Sequence, residues 1–82
     1  MIIEPLPDPQ TNLIIWTVYD HPSDYPEYWV VRPCWVDRQR VIHHGPGQLA
    51  KSLEMARELV PPGLHRQGRR PNDDPVIVEV WF

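Results

Sequence analysis

Residues 13–32 read LIIWTVYDHPSDYPEYWVVR, two apolar runs around a short stretch of acidic and turn-forming residues. Both runs are rich in β-branched and aromatic side chains, the composition of strands. Between them Asp20, Ser23 and Asp24 can bond back to nearby amides, while Pro22 and Pro26 preset φ and disfavour helix in the residue before each. The stretch therefore predicts a hairpin. Strand one covers 13–19 and strand two 28–32, resuming at 34–36 beyond Pro33.

Working outward, VIVEVWF (76–82) has the same character and predicts a third strand. Residues 48–60 carry a different period. Leu49, Leu53, Ala56 and Val60 recur at helical spacing, Lys51, Glu54, Arg57 and Glu58 lie largely off that stripe, and Pro61-Pro62-Gly63 forces a stop. The order β-β-α-β predicts an α+β domain, a three-stranded antiparallel sheet of order 2-1-3 with one helix packed on one face. Pro33 suits a strand two at the sheet edge, where an amide can be spared. The expected core is Ile14, Trp16, Val18, Val30, Leu49, Leu53, Ala56, Val60, Val78 and Val80. Both alternating sets of strand one are apolar, so the second face also needs cover. Candidates are the proline-rich arm 1–11 with Ile2, Ile3 and Leu6, the segment 34–42, or another molecule.

The composition sets bounds on function. Eighty-two residues make one domain, 1–82, and 41% hydrophobic residues with four Trp indicate a globular chain. The 11 prolines far exceed a background of roughly 5%, and most fall between the predicted elements. A net charge of −3 gives no general attraction to nucleic acid or anionic membrane. Cys34 is the single cysteine, so no internal disulfide forms and no Cys-rich zinc site assembles. That suits a reducing, cytoplasmic setting. Met1 to Pro5 shows no signal-like pattern, and no run approaches the ~18 apolar residues of a membrane span.

Candidate chemistry is sparse. Asp20, His21 and Asp24 are three donor side chains in one loop, but their spacing matches no calcium loop or helical His motif. In an extended segment His43 and His44 point to opposite sides, and His65 lies far along the chain. Cys34 lacks a local nucleophile signature, Ser23 lacks the glycine-flanked elbow, and no glycine-rich phosphate loop is present. No catalytic, cofactor-binding or metal-ligating residue is assigned, no cofactor is expected, and a small metal-dependent enzyme is the least favoured reading. Arg66, Arg69 and Arg70 form the one basic cluster, able to grip phosphates as a nucleic-acid-binding module. Asn72-Asp73-Asp74 follows at once and balances it internally. The favoured expectation is a non-catalytic protein-interaction module. Its partner is another protein or a second copy. Its contact residues are Asp20, His21, Asp24 and Tyr25 in the hairpin loop, with Trp81 and Phe82 beside the open edge of strand two or three.

The phrases TVYDHPSDYP (17–26), YWVVR (28–32), the helix leading into Pro62-Gly63-Leu64, and DDPVIVEVWF (73–82) resemble a group of small uncharacterised bacterial and bacteriophage proteins of about this length. The likeness spans most of 16–82 and leaves out 33–47. It implies a small accessory protein and gives no residue a role.

Overall fold

The computed structural model describes residues 13–82, which form β1 (Ile14–Asp20), β2 (Trp29–Val36), β3 (Ile42–His44), β4 (Gln48–Ala50), α1 (Leu53–Glu58), β5 (Arg66–Gly68) and β6 (Ile77–Trp81). β1 and β2 make the hairpin, with Ile14 opposite Trp35 and Asp20 opposite Trp29. Two tight turns build its loop: the Tyr25 amide donates to the Pro22 carbonyl (2.9 Å) and the Tyr28 amide to the Tyr25 carbonyl (3.2 Å). His21 takes a left-handed φ of 48°, and its amide reaches the Tyr28 carbonyl (3.1 Å) to close the ladder.

The sheet is larger than three strands. It has six, ordered β3-β2-β1-β6-β5, with β4 also on β2, and every pairing is antiparallel. The three-stranded 2-1-3 expectation is therefore corrected. The physical reason lies in β3, β4 and β5, each only three residues long. Elements that short show no periodicity and form only because a longer strand offers them a row of amides and carbonyls. The segment 34–42 consequently extends the sheet in its own plane instead of covering a face.

Pro33 is buried inside β2, which has neighbours on both sides, so the edge placement is also corrected. β3 and β4 lie end to end along β2, and their registers differ by one residue. The Gly45 amide donates to the Pro33 carbonyl (2.8 Å) at that break. A residue's amide and carbonyl face one side in an antiparallel strand, so the missing N–H of Pro33 points at the interruption, where no ladder bond is lost. Glycine is required there. A Cβ on Gly45 would stand 2.6 Å from the Pro33 ring, and one on Gly47 2.9 Å from Val30.

The helix is shorter than its periodicity predicts: six residues, Leu53–Glu58, not 48–60. Ser52 is the reason at the start. Its Oγ accepts the Met55 amide (3.1 Å) as an N-cap, while Gln48–Ala50 pair with β2. Leu49 thus leaves the helical stripe and is 43% exposed. Val18, Val31, Ala50, Ala56 and Val60 form the buried cluster, with Trp16, Trp29, Leu53, Leu64, Val78 and Trp81 packed on it. Of the other expected core residues, Val30 is buried, whereas Ile14 and Val80 are half-buried. The face away from α1 leaves Leu13, Ile42 and Phe82 exposed. The arm 1–11, expected to contribute cover, lies outside the described residues save that its neighbour Leu13 begins them.

Candidate functional site

The loop cluster separates into local pairs. His21 Nδ1 bonds the Asp20 carboxylate beside it and meets Trp29 edge-on at 5.3 Å. Asp24 turns instead toward Arg32 (3.8 Å), whose guanidinium lies over the Tyr19 ring at 6.0 Å. Asp20 and His21 are thus paired, and Asp24 is not brought to them. Among the described residues no three His, Cys, Asp or Glu side chains are placed to hold a metal ion.

Asp37 and His43 are similarly engaged. His43 Nε2 bonds Asp37 Oδ2 (2.8 Å) and stacks its ring on Trp35 at 5.5 Å. Asp37 also accepts the Gln39 and Val41 amides (2.8 and 3.0 Å), capping the β2–β3 turn. Its carboxyl is held below the usual value, mainly by the His43 hydrogen bond and then by the Val41 amide. Cys34 pairs across the sheet with His44, and burial pushes its thiol upward, away from the nucleophilic thiolate.

The arginine cluster divides as well. Arg69 Nη1 donates to the Asp73 carbonyl (3.2 Å), and the Arg70 amide to Asp73 Oδ2 (2.8 Å). With its amide turned to satisfy both groups, the Gln67 oxygen accepts Arg70 Nε and Nη2 (2.8 and 2.9 Å). Arg66 stands 3.9 Å from Glu79. These side chains brace the loop between β5 and β6.

Glu79 is the residue that sequence reasoning missed. It is 1% exposed, on the helix side of β6. Arg57 grips it through Nε (3.3 and 3.1 Å) and Nη2 (2.8 Å), and Trp81 Nε1 donates a fourth hydrogen bond at 2.6 Å. Burial raises its pKa, but the Arg57 and Trp81 hydrogen bonds and the charges of Arg57 and Arg66 more than reverse this, so the carboxyl titrates below its usual value. The signal was present: a lone acid inside VIVEVWF is either a solvent-facing residue or a paired buried one. A register shift in β6 opposite Val18 and Tyr19 decides for burial, because it changes which face Glu79 occupies. Trp81, expected at a contact surface, is half-buried and committed to this network. Phe82 is 41% exposed on the opposite face, its backbone bonded to His65.

Both expected open edges are filled, strand two's by β3 and β4 and strand three's by β5. Phe82 and the loop at Asp20–Tyr25 moreover stand at opposite ends of β1, roughly 20 Å apart at ~3.3 Å per residue. Besides a recess of about 100 Å³ beside the hairpin loop, lined by Tyr19, Pro22, Asp24, Val30, Arg32 and Val76, two larger concavities are seen among the described residues. One of about 310 Å³ on the open sheet face has a floor of Leu13, Ile15, Val80 and Phe82, with Gln67 and Arg70 at its rim. The other, about 420 Å³, runs between β4 and α1, lined by Tyr28, Leu49, Ala50, Met55 and Leu59, with Lys51 and Glu58 at its margins. Leu49, Met55 and Leu59 are 43%, 52% and 37% exposed. No helix among the described residues is long and apolar enough to cross a membrane. Compared with protein-family models, curated proteins and solved structures, the chain matches none.

Proposed function

We propose that this chain is a protein-interaction module without catalytic activity, and that its contact surface lies where β4 meets α1. One observation carries the reading: three large apolar side chains, Leu49, Met55 and Leu59, are exposed together around a groove of about 420 Å³. Exposed apolar side chains gathered around a concavity mark interaction sites, whereas scattered ones are ordinary. The groove also adjoins the hairpin loop. Tyr28 lines it, and Tyr25, 40% exposed and bonded through its carbonyl to the Tyr28 amide, extends the surface with an aromatic anchor. Asp20, His21, Asp37, His43 and Glu79, titratable groups that chemistry could use, are committed to turns and ion pairs, which supports binding over catalysis. The lone Cys34 suits a reducing compartment, and the reading places the module in the cytoplasm.

The test is affinity capture from a bacterial lysate, with and without nuclease, using the wild-type chain and Met55→Glu. Met55 is exposed, so this variant should melt within about 0.5 kcal/mol of wild type. Proteins retained by the wild type and lost by the variant support the surface. Identical retention, or none, refutes it. Capture abolished by nuclease would instead favour the arginines of the β5–β6 region as a nucleic-acid contact.

A further inference from the structure

We propose that the edge of β4 receives an extended segment of a partner polypeptide as an added strand, with an apolar side chain of that segment seated between β4 and α1. The inference rests on the interaction-module reading and specifies the partner's chemistry.

Strand register leaves main-chain groups of β4 facing outward. The His21 amide bonds the Tyr28 carbonyl across the β1 side, and the Gly45 amide bonds the Pro33 carbonyl across the β3 side. Hydrogen-bonding direction alternates along a strand, so Trp29, Val31 and Pro33 address β3 and β4 while Val30 and Arg32 address β1. Trp29–Ala50 and Val31–Gln48 are then the bonded pairs between β2 and β4. Leu49, opposite Val30, directs its amide and carbonyl away from the sheet. Neither group bonds another element among the described residues. A strand laid along this edge would satisfy both, as in β-augmentation.

The side chains beside that edge point to the same occupant. Leu49 and Ala50 are consecutive and point to opposite faces of β4, yet both line the groove, so it follows the edge itself. An incoming strand would therefore meet the main-chain groups and the apolar recess together. The volume suits one large apolar side chain and part of its neighbour, at the lower end of the ~300–1,000 Å³ of binding clefts. Lys51 follows β4 directly while Glu58 stands on the α1 side of the groove, and neither has an ion pair among the described residues, so a segment lying along β4 is matched by an acidic residue beside its apolar one, next to Lys51 and away from Glu58. The β5 edge differs. Arg66 lies on it and Arg69 just beyond, the charged guard that discourages strand addition.

The test titrates the ¹⁵N-labelled full chain with a blocked hexapeptide alternating valine and threonine and ending in one aspartate. Parallel titrations use the same peptide N-methylated at every amide, and a version with lysine in place of aspartate. Shifts should concentrate at Leu49, Lys51 and Met55, and N-methylation should weaken binding about tenfold or more by removing main-chain donors. The lysine peptide should bind more weakly, and Met55→Glu should lose the response. Equal binding of the N-methylated peptide overturns strand addition while leaving the groove, and so the interaction-module reading, in place. Shifts elsewhere, no shifts at millimolar peptide, or concentration-dependent shifts at Leu49 in the free chain, which would mark a second copy as occupant, also overturn it. Failure of the Met55→Glu capture experiment would remove the module reading itself.

Discussion

Replacing Arg57 with Met isolates what the Arg57–Glu79 pair contributes. Met keeps most of the aliphatic stem on α1 and removes the guanidinium that makes three contacts of 2.8–3.3 Å with a carboxylate only 1% exposed. Stranding a fully buried charge costs about 3–5 kcal/mol. Two features reduce that here. The Arg57 side chain is 41% exposed, so water screens its half of the pair, and Trp81 Nε1 and the nearby Arg66 still face Glu79 in the variant. A loss of about 2 kcal/mol is expected, roughly 8–16 °C in Tm for a domain of this size. The pH dependence gives the sign. Glu79 titrates below its usual value when folded, so its contribution is present above the unfolded carboxyl pKa of about 4.3 and disappears as pH falls through the folded value. Without Arg57, burial is opposed only by Trp81 and Arg66, and the folded pKa rises. The gap between variant and wild type should therefore be widest at pH 7 and close as acid neutralises Glu79. Urea unfolding at pH 7, 5 and 3 measures it. Adding Glu79→Gln to Arg57→Met should recover part of the loss at pH 7, since a neutral amide can still accept from Trp81. A variant within about 0.5 kcal/mol of wild type at pH 7, or a gap indifferent to acid, would refute the assignment.

Other consequences are accessible to the same measurements. Gly45→Ala should destabilise markedly more than Gly68→Ala, because its Cβ would meet the Pro33 ring at 2.6 Å whereas none lies within 4 Å of Gly68; comparable urea midpoints would contradict the β3–β4 break. Val18→Ala, at a fully buried site of the central strand, should cost roughly 2–3 kcal/mol, read from the same unfolding curves. Asp37→Asn should lower amide-exchange protection at Gln39 and Val41. Because the Asp37 carboxyl is depressed when folded, wild type should lose that protection as pH falls through its folded value, and the variant should not respond.

The sequence by itself located the residues that carry strong local signals. The hairpin loop follows from Asp20, Pro22, Ser23 and Pro26, whose side chains and fixed φ act over two or three residues. The stretches of β1, β2 and β6 follow from dense β-branched and aromatic runs, whereas Pro61-Pro62-Gly63 marks only the limit of α1, which ends at Glu58 and not at the expected Val60. Tertiary structure decided the rest, because those choices depend on partners far along the chain. Leu49 fits a helical stripe in sequence but sits in β4, where an available edge of β2 and the Ser52 cap outweigh periodicity. Pro33 looks like an edge residue and is buried, since its absent amide coincides with a break between two short strands. Glu79 reads as one acid among apolar neighbours, and only the register shift against β1 together with Arg57, 22 residues earlier, makes it a buried, paired carboxylate. The groove between β4 and α1 was invisible for the same reason: a three-residue strand has no pattern of its own, and the cleft beside it exists only once β2 has placed that strand against the helix.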